Sequence, residues 1–307
     1  MKYKAILTCG AVTALLSTAV SAYAQPASIN GAYDPAFGSP ITLQTDATGF
    51  GPGYSELDAG YGLIKGGSLY LYITGNLQNN GNNINLFIAG AGGQSTLSAL
   101  NTGNQGLNDL SVMNGSQFSS GFSAIYGFNI NNNGTTLTVS QYNLLANTSV
   151  NTLGSLTTSG GIVANGTVDN SVVVGFNNNY DLSHAAGIGV QQADVGPGST
   201  GLELAIPLSL LGNPGGPIKV LADVNGSNEG YLSNQFLSPL AGNPGNLGTI
   251  AFNFSSAPGE FFIVPVPEPS TLALSGLSGL ATLLAFFRKK PFAGRRTIHA
   301  IAAQFFL

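Results

Sequence analysis

Short runs in which apolar and polar residues alternate recur through the middle of this 307-residue chain, and this period of two most constrains its fold. In the run 69–74, Leu69, Leu71 and Ile73 share one face of a strand, because successive side chains point to opposite faces. Similar alternation occurs at 84–88, 122–130, 136–140, 172–176, 202–206, 220–224, 250–254 and 261–264. Helical periodicity is almost absent, so the pattern predicts an all-β body.

Clusters of Asn and Gly separate these runs, for example at 79–81 and 131–134. Both residue types tolerate the positive φ angles that tight hairpin turns require. Nine or more short strands joined by polar turns predict an antiparallel two-sheet sandwich, jelly-roll-like in arrangement, over residues 25–264. A β-solenoid is the alternative for a chain so rich in Asn and Gly, although no fixed repeat of about 20–30 residues is present.

Charged residues are scarce, at 7% of the chain, and those of the body are almost all acidic. Between residues 25 and 264 only Lys65 and Lys219 oppose twelve acidic residues, which gives the body a formal charge of −10. A nucleic-acid-binding protein is excluded, because no basic patch could neutralise phosphates. A disordered polyelectrolyte is excluded by the 43% apolar content. The acids form no dense run, so we expect their charge to serve mainly solubility.

The first 24 residues have the layout of a secretory signal peptide. They carry Lys2 and Lys4 near the start, continue with an apolar and small-residue run at 11–20, and end in a segment where Ala22 and Ala24 fit the small-x-small cleavage rule. The pattern predicts cleavage after Ala24 and a signal helix over 1–24. A buried N-terminal helix is the alternative.

The other end of the chain combines three parts in a fixed order. Pro267, Glu268 and Pro269 are followed by sixteen uncharged residues at 272–287 and then by a basic cluster of three residues, Arg288, Lys289 and Lys290. A helix of sixteen residues covers about 24 Å, so Ser270, Thr271 and snorkelling basic side chains are needed to span a bilayer. The pattern predicts a transmembrane helix over about 270–287, with the body outside and the basic cluster in the cytoplasm.

This C-terminal arrangement resembles the PEP-CTERM sorting segment of exported proteins of Gram-negative bacteria, a segment also called the ice-binding protein C-terminal domain. The resemblance covers residues 266–290, within a sorting segment that we place at 265–290. It implies recognition by exosortase, a membrane-embedded transpeptidase-like processing enzyme, at Pro267, Glu268 and Pro269. Members of the family usually end within a few residues of the basic cluster. Here a basic and apolar tail, residues 291–307, follows it.

The body is similar in a looser way to family 9 carbohydrate-binding modules and related jelly rolls. The run 202–208, Leu-Glu-Leu-Ala-Ile-Pro-Leu, looks like one of their strands, and 55–59 and 69–77 are similar to their early strands. This likeness implies exopolysaccharide as a ligand, with Tyr70 and Tyr72 as candidate contacts. The chain has no Trp for a sugar-stacking platform, and Ala89 stands where that family would have an acid.

Candidate catalytic groups are few. His184 is the single histidine of the body, and no Gly-x-Ser-x-Gly elbow frames a serine that it could activate. Glu56 and Asp58 lie at i and i+2, which would place two carboxylates on one strand face. The only cysteine, Cys9, lies in the predicted signal peptide, and no His/Cys cluster has zinc spacing. We therefore expect no enzymatic activity.

Calcium is the one metal for which the sequence offers ligands. Asp223, Asn225 and Glu229 supply alternating oxygen donors, as at the start of a calcium-binding loop. The spacing of Gly226 does not fit an EF-hand. The alternative is a hairpin turn in which Asn225 and Gly226 form the bend. No other cofactor is expected.

Together these features favour a non-enzymatic exported surface or extracellular-matrix protein, anchored in the inner membrane and processed by exosortase. Three alternatives remain: a carbohydrate-binding module for exopolysaccharide, a membrane-tethered periplasmic domain that is never processed, and a protein that binds ice or another flat surface. A protein that binds ice would need regularly spaced Thr residues on a flat sheet, and Thr136 and Thr138 are the single instance of this spacing.

Overall fold

The structure is a computed structural model of the full chain. The structure describes residues 24–50, 55–78, 80–98, 113–133, 135–146, 148–157, 162–169, 172–178, 195–226, 230–249 and 251–266.

The described body is built from strands. In chain order the strands are β1 (Thr42–Leu43), β2 (Glu56–Lys65), β3 (Ser68–Asn76), β4 (Asn82–Gln94), β5 (Ala124–Asn132), β6 (Thr136–Asn143), β7 (Thr148–Thr157), β8 (Ile162–Asp169), β9 (Val172–Asn177), β10 (Gly201–Pro207), β11 (Ile218–Gly226), β12 (Tyr231–Leu237) and β13 (Phe262–Val264). Two short 3₁₀ helices lie at Pro35–Phe37 and Phe254–Ser256.

These strands form two antiparallel sheets. The first has the order β1-β2-β3-β10-β9-β8, and the second has the order β12-β11-β4-β5-β6-β7, with β13 also paired to β11. The prediction of an all-β, two-sheet antiparallel sandwich is confirmed. The solenoid alternative is wrong, because strands distant in sequence, such as β3 and β10, are hydrogen-bonded neighbours.

The main hydrophobic core lies between the two sheets, and its members are those that the period of two predicts. Leu69, Leu71 and Ile73 of β3 face it, as do Leu202, Leu204 and Ile206 of β10. Ile84, Leu86 and Ile88 of β4, with Val220, Ala222 and Val224 of β11, come from the opposite sheet. Burial of these alternating side chains supplies the main driving force for the sandwich.

Part of the outer face of each sheet is buried as well. A segment that we call the strap, residues 24–38, crosses the outer face of the first sheet, where Phe37 packs against Tyr61 and Tyr72. On the second sheet, Phe87 and Leu221 of the outer face pack in another cluster with residues from the loops around 113–122 and 240–261. Each sheet is therefore apolar on both sides over part of its area.

Side-chain amides on β12 join the two sheets along one edge. Gln235 accepts from Leu57 N at 3.2 Å and donates to Asp46 O at 3.0 Å. Asn234 donates to Ala47 O at 2.9 Å and accepts from Gly49 N at 2.8 Å. The main chain around 46–57, on the side of the first sheet, is thus held directly by β12 of the second.

Among the described residues, no helix has the length and apolar character needed to cross a membrane. The predicted signal helix, apart from Ala24, and the predicted transmembrane helix at about 270–287 lie outside the described residues. The same holds for the tail at 291–307.

We expect Phe128→Ala to lower the free energy of unfolding by about 3–5 kcal/mol, because Phe128 is fully buried in the inter-sheet core and truncation leaves a cavity. Denaturant unfolding followed by circular dichroism measures the change. The control is Leu145→Ala at a side chain that is 52% exposed, where the expected change is below about 0.5 kcal/mol. Equal losses in the two variants would contradict this placement of the core.

Candidate functional site

The body ends in a strand that lies next to the predicted sorting segment. In β13, Phe262 and Val264 point into the inter-sheet core, while Ile263 is 45% exposed. Its pairing with the start of β11 places Val264 opposite Ile218, and the rest of the same edge of β11 pairs with β12. The sorting segment therefore begins one residue beyond a strand that is part of the core.

Close packing against β2 holds this last strand in place. A Cβ atom added to Gly62 would lie 2.5 Å from Val264 Cγ2, and one added to Gly60 would lie 3.1 Å from the Phe262 ring. These glycines let β13 approach the backbone of the facing sheet. The three predicted motif residues, Pro267, Glu268 and Pro269, and the basic residues Arg288, Lys289 and Lys290 lie outside the described residues.

At the other end, Ala24 is the first described residue, and both it and Gln25 are exposed. Ala22 lies outside the described residues. From Pro26, which is buried, the chain enters the strap across the first sheet. The predicted cleavage position therefore lies at the exposed start of a segment that packs on the body.

Two of the three predicted calcium ligands lie on a strand. Asp223 and Asn225 are fully buried on β11, and Glu229 lies outside the described residues. Strand β11 continues to Gly226 and pairs with β12 from Tyr231, so the turn lies beyond Asn225. Among the described residues, no group of three or more His, Cys, Asp or Glu side chains could hold a metal ion.

Asp223 and Asn225 instead belong to two polar rows that cross the outer face of the second sheet, which we call the amide ladder. One row is Asp223, Asn85, Asn129 and Ser140, and the other is Asn225, Asn83, Asn131 and Thr138. All eight residues are buried. Asn129 Nδ2 donates to Asn85 Oδ1 at 2.8 Å, and Asn131 Nδ2 donates to Asn83 Oδ1 at 2.5 Å. Hydrogen bonds of this kind satisfy buried amides and tie one strand to the next.

The two candidate sugar contacts differ in exposure. Tyr72 is fully buried among Tyr33, Phe37 and Tyr61, and its hydroxyl lies 3.1 Å from Ser199 Oγ. Burial raises the pKa of Tyr72 above its ordinary value. Tyr70 is half-buried at the border of the same cluster. Because a sugar-stacking ring must be exposed, Tyr72 serves as a core residue in this structure.

The carboxylates that could have formed a catalytic pair are separated by an irregularity in β2. The register with β3 shifts between Leu57 and Ala59, so Asp58 is the extra residue of a bulge. Glu56 is half-buried and accepts from Asn76 Nδ2 at 3.2 Å, whereas Asp58 is buried. The regular i, i+2 alternation does not hold here. His184 lies outside the described residues.

The expectation that the acids serve mainly solubility is wrong for most of those that the structure describes. Of the seven acidic side chains described, five are buried: Asp46, Asp58, Glu203, Asp223 and Glu260. A buried carboxylate is costly unless it receives hydrogen bonds. The hydrogen bonds of the buried carboxylates therefore indicate their structural role.

Glu203 holds the strap against the first sheet. Its neighbours Leu202 and Leu204 face the core, so Glu203 points to the outer face of β10, where its Oε2 accepts from Asn30 N at 2.8 Å and Gly31 N at 3.1 Å. Burial, opposed by these two hydrogen bonds and assisted by Asp34, raises the pKa of Glu203 to about 7. In the sequence, the one feature that sets this position apart is that an acidic residue lies in the middle of the apolar run 202–206.

Glu260 does the same for the loop that covers the second sheet. Its two carboxylate oxygens accept from Ser119 N and Ser119 Oγ, both at 2.7 Å, and the side chain is fully buried. Nearby, Lys219 Nζ donates to Gly121 O and lies 5.1 Å from the centre of the Phe261 ring. One carboxylate and one lysine thus fix two points of the same loop. Sequence analysis gave no sign of either role.

Comparison with protein families matches residues 265–290 to the PEP-CTERM protein-sorting motif. No curated protein and no solved structure gives a significant match. The predicted sorting motif is therefore confirmed, whereas the likeness of the body to carbohydrate-binding modules is not. The motif indicates an exported protein that is anchored in a membrane on its way to the cell surface and processed by an exosortase-type enzyme.

We expect the raised pKa of Glu203 to make folding stability fall with rising pH. The folded chain binds the proton more tightly than the unfolded chain, whose carboxyl titrates near 4.5. The stabilisation from the protonated form is complete below that pH and is lost as the pH rises through about 7. The loss is roughly 3 kcal/mol.

Glu203→Gln removes the titration, so its free energy of unfolding should lack this fall. Denaturant unfolding of the wild type and the variant at a series of pH values measures the difference. Leu145→Ala, at an exposed and uncharged side chain, is the control and should keep the wild-type dependence. A Glu203→Gln variant with the wild-type profile would show that Glu203 does not titrate in this range.

Proposed function

We propose that this chain is a non-enzymatic surface or extracellular-matrix protein, whose sandwich is exported across the inner membrane and released by exosortase-type cleavage at Pro267, Glu268 and Pro269. The protein needs no cofactor for this role. The observation that carries the proposal is the sorting motif at 265–290, which starts directly after β13.

The position of the motif supports release of an intact domain. Cleavage within 267–269 lies beyond Val264, so every described strand stays in the released product. Because Phe262 and Val264 pack between the sheets, a cut even a few residues earlier would remove side chains from the core. The folded body and the processing site are thus adjacent in sequence without sharing core residues.

The membrane intermediate follows from the residues after the motif. The uncharged run 272–287 is long enough, with its polar flank, to reach across the hydrocarbon layer of the inner membrane. Arg288, Lys289 and Lys290 then stay in the cytoplasm, which orients the sandwich outward. The same logic requires that residues 1–24 direct export and are removed after Ala24.

A structural role for the body is supported by the contacts of its buried acids. Glu203 and Glu260 both hold main-chain amides of the segments that cover the sheets. Groups engaged in this way stabilise the fold. Carbohydrate binding has less support, because Tyr72, one of its two candidate contacts, is buried.

The test is to express the full chain in a host with and without its exosortase and to measure the masses of the fractionated products. We expect a soluble body that starts at residue 25 and ends near 267–269, formed only when the enzyme is present. The double variant Pro267→Ala/Pro269→Ala should abolish this product and leave the full chain in the membrane. Pro265→Ala changes a proline of the matched segment that lies outside the Pro-Glu-Pro triplet; it is the matched control and should be processed like the wild type.

An intact chain held in the membrane under both conditions would overturn the proposal. It would favour the alternative, in which 272–287 is a permanent anchor and the sandwich is a tethered periplasmic domain. If the double variant were processed as well as the wild type, the enzyme would not require Pro267 and Pro269 for recognition.

A further inference from the structure

The strap contains the dipeptide Asn30-Gly31, and the main-chain nitrogen of Gly31 is hydrogen-bonded to the buried carboxylate of Glu203. In an Asn-Gly sequence, the glycine nitrogen can attack the side-chain amide carbon of the asparagine, because glycine has no Cβ to hinder the five-membered ring. Gly31 N donates to Glu203 Oε2 at 3.1 Å, so the proton that this attack must lose already points at a base. Glu203 is fully buried.

The side chain of Asn30 is held at both of its polar atoms. Ala32 N donates to Asn30 Oδ1 at 2.9 Å, and Asn30 Nδ2 donates to Ser28 Oγ at 3.0 Å. A main-chain N–H directed at Oδ1 stabilises negative charge that develops on this oxygen during attack on Cγ. The Ser28 hydroxyl lies next to the amine that would leave.

We propose that Asn30 is a self-modification site, at which Glu203 acts as the general base for attack of Gly31 N on Asn30 Cγ. The proton of Gly31 N passes to Glu203, the N–Cγ bond forms and the Cγ–Nδ2 bond breaks. Ammonia leaves with the proton, and a succinimide remains. Water then opens the ring and yields aspartate or isoaspartate at position 30. Water is the only co-reactant, and no group is oxidised or reduced.

The surroundings of Glu203 suit a base that works near neutral pH. From β3, Tyr72 lies directly across from it, and from β9 the opposite residue is Gly175, which has no ionisable group. From the strap, the charged neighbour is Asp34, and Tyr72 stays neutral because burial raises its pKa. With its own pKa raised to about 7, Glu203 is a stronger base than an ordinary carboxylate and is still partly ionised at neutral pH.

The product would weaken the contact that holds the strap. A carboxylate at position 30 adds a negative charge beside Glu203, whose Oε2 is 2.8 Å from the main-chain nitrogen of the same residue. Like charges close to one another repel, and on the Glu203 side the charge is buried. The reaction would therefore act as a slow, irreversible change that loosens the strap over Tyr61 and Tyr72.

The experiment incubates the purified full chain, folded or unfolded in urea, and follows residue 30 by peptide mapping with mass spectrometry. Asn114-Gly115 in the same chain is an internal reference, because Asn114 is exposed and Gly115 N donates to the Leu97 carbonyl instead of a carboxylate. Glu203→Gln keeps the size of the side chain and an acceptor for the strap but is not a base.

We expect Asn30 to convert faster in the folded chain than in the unfolded chain, and Glu203→Gln to slow this conversion by about 100-fold or more. Asn114 should react at the same rate in both proteins. The wild-type rate at Asn30 should rise as the pH passes about 7 and then level off, because Glu203 is then fully ionised. The rate at Asn114 should continue to rise with hydroxide.

Three results would overturn the proposal. Asn30 could stay intact while Asn114 converts, it could convert equally fast in Glu203→Gln, or it could react more slowly in the folded chain than in the unfolded one. Each would mean that the Asn30 side chain only shapes the turn at 30–32. If Glu203→Gln does not fold, the comparison of folded with unfolded wild type still decides the question.

Discussion

Burial of alternating side chains between two antiparallel sheets is the interaction on which the rest of this structure depends. It brings β3 and β10 into one sheet and β4 and β11 into the other, although each pair is far apart in sequence. The same core takes Phe262 and Val264 from β13, so the last strand before the sorting motif is fixed by the packing that forms the body. The strand β13 therefore belongs to the folded core and directly precedes the sorting motif.

A second constraint follows from the first. Part of the outer face of each sheet is covered too, and polar side chains in the covered parts lose contact with water. Their hydrogen-bonding groups must then find partners inside the protein. In the amide ladder they bind one another across strands, whereas Glu203 and Glu260 bind the main chain of the covering segments. Although the chain has few charged residues, Glu203 and Glu260 are thus used to hold covering segments through hydrogen bonds.

Sequence reasoning succeeded where the signal is local. The alternation at 69–74 identified the core face of β3, and the order of prolines, apolar run and basic cluster identified the sorting motif. It named Tyr72 as a candidate sugar contact but could not decide whether the ring is exposed, and in the structure the ring is buried. It failed for the role of Glu203, whose partner Asn30 lies 173 residues away along the chain. For neither residue does the neighbouring sequence indicate which distant segment packs over it.

The sequence by itself determined that the body is all-β, which side of each strand is apolar, and where the sorting motif lies, because each depends on neighbouring residues. Only the tertiary structure decided that part of each outer face is covered, that Asp223 and Asn225 lie buried on a strand, and that Glu203 accepts hydrogen bonds from Asn30 and Gly31. A period of two assigns side chains to faces. Whether a face meets water depends on segments that are distant in sequence and are brought there by folding.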